Sequence, residues 1–367
     1  MNISKRLRIL FITRKYPPSI GGMQRLNYQL VKHISTRAEV HVIAWGGSQA
    51  WLPWFLLCAL VQGAIKAPRA DVLHAGDPLV APVVWLLARL YRKPTVVNVH
   101  GLDLTFDFPG YQMLIPWLLR RFTRVVCISR ATYLEALNRG LLPEHCRIIY
   151  PGVDIPECIP SRAEARAYLE ARLGLPLSER QVWLTVGRLV RRKGVAWFCE
   201  KVLPGLQVTG NFIYLVAGDG PEAPKVCNLI SKLGLTKYVR LLGRVNDAEL
   251  TLLYTGADAL IMPNIPQLND YEGFGIVAIE AAAHGLPVIA ARLEGIQEAV
   301  IEGVSGYLLP PQDVEAGTYF LRGCLVDSQI LEKLRFCAKE AVNRRFRWDR
   351  IAEHYLEVFG EAIAEQG

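Results

Sequence analysis

Tyr271-Glu272-Gly273-Phe274-Gly275-Ile276-Val277-Ala278-Ile279-Glu280 joins a glycine loop to an apolar, alanine-rich segment and carries a carboxylate near each end. The segment predicts a helix that begins near Ile276, runs through Ala281-Ala282-Ala283 and is stopped by Gly285 and Pro287. The first turn of such a helix has unpaired N–H groups, and its dipole favours an anion. Gly273 and Gly275 let a ligand approach that backbone closely, so a phosphate is a natural guest. Two carboxylates beside an anion raise its cost unless they bind hydroxyls. Glu272 and Glu280 therefore suggest a sugar nucleotide, with one carboxylate for a hexose and one for a ribose. Taken alone, the ten residues fit an ordinary turn with two solvated glutamates equally well.

Outward from this stretch, strand-like apolar runs alternate with helical patterns. In the second half they fall at 182–186, 212–217, 239–242, 259–262, 287–291 and 307–309, and in the first half at 6–13, 39–45, 71–75, 95–100, 124–129 and 147–153. Such alternation predicts an α/β protein built on parallel, doubly wound sheets, with ligands beyond the carboxyl ends of the strands. The composition shifts near Pro156 and Pro160, ahead of a charged helix. Two Rossmann-like domains are expected, 1–157 and 158–346, with a helix at about 347–367 crossing back onto the first.

The first strand leads into Gly21-Gly22 and a helical pattern through Leu26, Leu30 and Val31, a second potential anion site, although no G-x-G-x-x-G fingerprint is present. His100-Gly101-Leu102-Asp103 lies at another strand end, where the histidine is either structural or in contact with a substrate. After the strand at 182–186 come Gly187-Arg188 and Lys193, two cations able to reach one anionic ligand and to stabilise a leaving diphosphate as its charge grows. Arg191 and Arg192 between them read as a solvated basic loop.

The 367 residues, 51% apolar and 21% charged, suffice for two cores. The eight cysteines form no C-x-x-C pair, so they are expected as reduced core thiols of a cytosolic protein without zinc or disulfides. The N-terminus leads directly into a strand and leaves no room for a signal peptide. Lys and Arg number 19 against 8 Asp and Glu in residues 1–155, a net +11, which leaves 42 − 19 = 23 basic and 34 − 8 = 26 acidic residues beyond, a net −3. A basic first half suits an anionic lipid surface or an anionic substrate; no nucleic-acid motif accompanies it. Residues 51–65 (WLPWFLLCALVQGAI) are too few to span a bilayer, which takes roughly 20. They read either as a buried helix or as a membrane-contacting face, and Tyr111 to Arg121 offers a similar choice.

The ordered set Gly187-Arg188-x4-Lys193, Ala217-Gly218-Asp219-Gly220-Pro221, Leu242-Gly243-Arg244-Val245, Glu272-Gly273-Phe274-Gly275 with Glu280, and Gly285-Leu286-Pro287-Val288 resembles the retaining glycosyltransferases of family 4. Gly21-Gly22, His100-Gly101-Leu102-Asp103 and Pro151-Gly152-Val153-Asp154 extend the resemblance over nearly the whole chain. It implies the GT-B fold, two facing Rossmann-like domains with an interdomain cleft, the donor mainly on the second and the acceptor on the first. By the same resemblance Arg188 and Lys193 hold the donor diphosphate, Glu280 the ribose, and Glu272 the transferred sugar. Gly273, Phe274, Gly275 and Ile276 offer backbone to sugar and phosphate, and Arg244 and Val245 lie by the base. His100 contacts the donor sugar near the reacting carbon, Gly21 and Gly22 face phosphate and acceptor, and Asp103 lies on the acceptor side.

The resemblance implies a metal-independent hexosyltransferase without cofactor, using a UDP or GDP sugar and a lipid-linked or saccharide acceptor. It would work in the cytoplasm, peripherally on the inner face of the membrane, in envelope polysaccharide or lipopolysaccharide synthesis. No D-x-D triplet occurs. A sucrose- or starch-type synthase, an epimerase, or a non-catalytic glycan- or lipid-binding module are the alternatives. The loop Asn264 to Tyr271 is longer than the common form, Pro151 precedes Gly152 where the family usually has asparagine, and Gln297 stands where it often has proline.

Overall fold

The computed structural model describes residues 6–19, 21–106, 108–268 and 270–366; the expectation about the first few residues, and Asn269 of the long loop, lie outside the described residues. The chain divides into two compact units, one running to Gly152 and resuming at Phe346, the other spanning Val153–Arg345.

The first unit is a parallel sheet of β1 (Arg8–Thr13), β2 (Glu39–Ala44), β3 (Val72–Ala75), β4 (Thr95–Val99), β5 (Arg124–Cys127) and β6 (Cys146–Ile148), ordered β2-β1-β3-β4-β5-β6. Its helices are α1 (Gly22–Ile34), α2 (Leu52–Lys66), α3 (Ala81–Tyr91), α4 (Leu102–Thr105), α5 (Pro109–Leu119) and α6 (Arg130–Asn138). The second unit holds β7 (Gln181–Val186), β8 (Phe212–Ala217), β9 (Val239–Gly243), β10 (Ala259–Met262), β11 (Val288–Ala291) and β12 (Gly306–Leu309), ordered β12-β11-β10-β7-β8-β9 and again parallel. Its helices are α7 (Arg162–Leu173), α8 (Val195–Trp197), α9 (Ala223–Lys232), α10 (Asp247–Gly256), α11 (Ile276–Ala283), α12 (Ile296–Ala299), α13 (Val314–Val326) and α14 (Gln329–Phe346).

The central strands are mainly apolar, broken only by His74 in β3 and by Thr95 and Asn98 in β4, because helices cover both faces of each sheet: every residue of β3, β4, β8 and β10 is buried. Ser161 caps α7 in a reciprocal capping box with Glu164. The last helix, α15 (Trp348–Gln366), packs in the first unit, burying Trp348, Ile351, Tyr355 and Phe359. Trp348 lies so close to Gly152 that a Cβ there would come 2.4 Å from its ring, which is why that position needs glycine.

Two expectations need correction. Cys127, Cys146, Cys199 and Cys324 are buried, whereas Cys158, Cys227 and Cys337 are exposed; all eight are free thiols. The stretch at 51–65 is not a buried helix. α2 buries only Phe55, Ala59 and Gly63, while Trp54, Leu57, Val61 and Ile65 face outward. Among the described residues no helix is long and apolar enough to cross a membrane.

Candidate functional site

In the second sheet β7 lies between β8 and β10, so the connections leave β7 on one side and β10 on the other. Loops that diverge at such a switch leave a crevice beyond the strands' carboxyl ends. The loop after β7 carries Arg188 and Lys193. Its backbone is pinned to neighbouring loops: Gly187 N–H donates to the Ala217 carbonyl, Leu189 N–H to the Asp219 carbonyl, and Ile265 N–H to the Arg192 carbonyl. Gly194 has φ 68°, and a Cβ there would fall 1.8 Å from the Pro263 carbonyl oxygen. Only glycine lets the loop close onto the end of β10, and that closure brings Lys193 to Glu272.

Lys193 Nζ lies 2.7 Å from Glu272 Oε2, Arg192 Nη1 3.5 Å from the same oxygen, and Asn264 Nδ2 donates to it at 3.2 Å. Arg192 also stands 3.2 Å from Asp270. Burial pushes the Glu272 carboxyl up, but Lys193, Arg192 and the hydrogen bonds from Lys193 and Asn264 outweigh burial and hold it below the usual carboxylate range. It is an ionised, weakly basic group. Arg191 is exposed, as expected of a solvated loop, but Arg192 is not, because the turn closed by Gly194 folds it back onto Glu272. Arg188 is exposed, and while its backbone carbonyl accepts the Val190 N–H, its guanidinium has no hydrogen bond or ion pair among the described residues.

Gly275 takes a left-handed conformation (φ 83°) at the start of α11, next to the buried Phe274, with Gly273 before it and Ile276 as the first helical residue. Within α11, Glu280 accepts a hydrogen bond from the Tyr254 hydroxyl at 3.3 Å. Tyr254 comes from α10 and is fully buried, so it is a rigid support for a half-buried carboxylate. At the end of β9, Arg244 is 87% exposed and only 3.8 Å from Asp219, a surface pair of little energetic weight; Val245 follows, half-buried.

The first unit has its own polar cluster at the carboxyl ends of β1, β3 and β4. Arg14 Nε meets the fully buried Asp77 at 2.9 Å, and Asn27 donates to Thr13. Asp103 Oδ2 accepts both the backbone N–H of His100 and, at 2.9 Å, its Nδ1. A carboxylate at Nδ1 fixes the proton there and leaves Nε2 with its lone pair. That nitrogen is buried with no hydrogen-bond partner among the described residues. A Cβ on Gly22 would meet nothing within 4 Å and one on Gly21 only the Gln24 side chain, so the protein's own packing does not demand glycine at 22.

Thus Lys193 and Glu272 are brought into contact, as are His100 and Asp103; Arg244 stands apart on the surface. Sequence reasoning missed Asn264, Tyr254 and Glu294, whose carboxylate accepts the Glu272 backbone N–H. None belongs to a motif, and only the position of Asn264 just past a strand end gave a signal.

Among the described residues no group of three or more His, Cys, Asp or Glu side chains is disposed to hold a metal ion. The family described as Glycosyl transferases group 1 matches residues 180–325, and Glycosyltransferase Family 4 matches residues 20–157. D-inositol 3-phosphate glycosyltransferase of Corynebacterium urealyticum is 33% identical over 309 residues, covering 79% of this chain and 71% of that protein. Among solved structures, Anabaena HepE in complex with UDP superposes with a TM-score of 0.81 at 23% identity, covering 96% of this chain and 100% of HepE. Sucrose-phosphate synthase of Thermosynechococcus elongatus gives 0.79 at 22% identity, covering 98% and 100%. With these matches over both halves, the chain belongs to the group 1, family 4 glycosyltransferases and has the GT-B fold.

Proposed function

We propose that this glycosyltransferase moves a hexose from a UDP or GDP sugar to a lipid-linked or polysaccharide acceptor, with retention of the anomeric configuration and without a metal ion. The observation that carries the reading is the cation pair at the switch point of the second sheet. The Arg188 guanidinium has no partner among the described residues and Lys193 sits against Glu272, so a diphosphate arriving there meets one uncommitted cation and a second already oriented. The UDP seen in HepE, a protein of like fold, supports a nucleoside-diphosphate donor.

In this reading Arg188 and Lys193 stabilise the charge that grows on the leaving diphosphate. Glu280, steadied by Tyr254, takes the ribose, with Arg244 and Val245 beside the base. Gly273, Phe274, Gly275 and Ile276 present backbone to the phosphate and the sugar. Glu272 stays ionised, binds sugar hydroxyls, and is too weak a base to deprotonate the acceptor. That supports retention, with a diphosphate oxygen taking the acceptor proton on the face from which it departs. His100, its proton held on Nδ1 by Asp103, accepts a hydroxyl hydrogen at Nε2. Gly21 and Gly22 leave room for phosphate and acceptor.

The same proposal gives the first unit an anionic membrane surface as partner. Trp54, Leu57, Val61 and Ile65 line one side of α2, with Leu90 on α3 and Met113 on α5 also exposed. Apolar side chains in such number cost solubility unless something covers them. Lys66, Arg69, Arg89, Arg92, Lys93, Arg120 and Arg121 follow or flank the same helices, and that charge complements acidic headgroups. The test is transfer of labelled sugar from UDP- and GDP-hexoses to lipid-linked acceptor in anionic vesicles. Conversion of the donor alone, without an acceptor, would identify an epimerase instead.

A further inference from the structure

Three described residues other than glycine have a left-handed backbone: Arg92, Glu294 and Gln312. Arg92 ends α3 and Gln312 lies in an exposed turn, but Glu294, with φ 45°, stands in the turn between β11 and α12, beside Glu272. A residue with a Cβ is strained there, and glycine would not be. Strain of this kind persists where the surroundings hold it and is a reason to ask what it secures.

Here it secures the backbone of Glu272. Glu294 Oε2 accepts the Glu272 N–H, and the N–H of the next residue, Gly295, donates to the Glu272 carbonyl at 3.3 Å. Both polar backbone groups of Glu272 are taken by one turn. Gly295 is so close that a Cβ would lie 2.1 Å from the Gly273 carbonyl oxygen. On its other side the Glu272 carboxylate meets Lys193, Arg192 and Asn264. The position is a poor one for a carboxylate: desolvation, opposed by the Glu272 N–H and reinforced by the Glu272 charge, pushes the Glu294 carboxyl up to about 7. Glycine at 294 would relieve both the strained backbone and the desolvated acid, so stability alone does not account for glutamate.

We propose that Glu294 is a positioning residue that locks the Glu272–Gly275 loop in its donor-binding conformation at a cost in local stability; the donor part rests on the function proposed above. The experiment compares full-length wild type with Glu294→Gly and Glu294→Gln. It measures amide hydrogen exchange over residues 270–276, the thermal midpoint, and binding of UDP-glucose and a GDP-hexose by calorimetry. Glu294→Gly is expected to speed exchange at the Glu272 amide by about tenfold while the midpoint stays level or rises, the reverse of a structural lesion. Its affinity for the bound nucleotide sugar falls by about fivefold or more, since the loop must be ordered on binding. Glu294→Gln keeps an acceptor oxygen and stays within about twofold of wild type in exchange and affinity. Unchanged exchange in Glu294→Gly overturns the proposal, as does faster exchange accompanied by a lowered midpoint. Should wild type bind neither nucleotide sugar, the proposed function fails by itself, and exchange and midpoint still decide whether Glu294 positions the loop.

Discussion

Arg188 and Lys193 differ in what each costs to remove. The Arg188 side chain is exposed and without a partner among the described residues, so Arg188→Ala should leave the thermal midpoint unchanged and lower kcat/KM for transfer by about 10²- to 10³-fold, the cost of deleting a donor to developing charge. Lys193→Ala also strips Glu272 of its closest partner. The carboxyl then titrates higher, and both the midpoint and the turnover fall. Steady-state kinetics beside a melting curve separates the two. At His100, Asp103→Asn releases the Nδ1 proton while leaving the imidazole in place. Its kcat should fall by at least about tenfold with the donor KM little changed; equal activity would remove His100 Nε2 from the chemistry.

At the scale of elements, the apolar runs of β3, β4, β8 and β10 were legible because sheets covered on both faces need no polar alternation. α11 was legible too, since the alanine run, Gly275 and Pro287 mark its start and stop, and the helix ends at Ala283. α2 was not: its outward residues Trp54, Leu57, Val61 and Ile65 are as apolar as its inward ones, so periodicity could not tell covered from uncovered. Arg192 and Glu294 escaped for another reason. Each acquires its role from a backbone turn, closed by Gly194 in one case and strained in the other, and a turn's geometry leaves little trace in residue type. If α2 docks on lipid, the double substitution Trp54→Glu and Val61→Glu should abolish sedimentation with anionic vesicles and leave the far-ultraviolet spectrum and midpoint unchanged, because both side chains already face outward. Full retention on vesicles would contradict the membrane partner.

Across the whole molecule, the buried His74 and the half-buried Glu294 give stability opposite slopes with pH. His74, packed among Phe11, Tyr355 and Phe359 and bonded to Asn98, is pushed down to about 4, mainly by desolvation. Its unfolded form binds a proton near 6.5, so the stability it contributes is present above that value and is lost as pH falls towards 4. Glu294 does the reverse: raised from 4.5 to about 7, it holds a proton in the folded state, and stability declines as pH rises between those values. His74→Asn should flatten the acid limb of a midpoint-versus-pH curve, and Glu294→Gln the limb approaching neutrality. If Arg188 and Lys193 supply the positive charge that a metal otherwise would, as proposed, chelator should leave transfer unchanged.

Whether the loops after β7 and β10 bind a nucleoside-diphosphate sugar is decided by calorimetric titration of UDP- and GDP-hexoses into wild type and Arg188→Ala. Wild type should bind at least one donor saturably, and the variant should bind it about tenfold or more weakly, the loss of one charge-assisted contact. Equal affinity in the two proteins, or no binding to wild type, would contradict donor binding there.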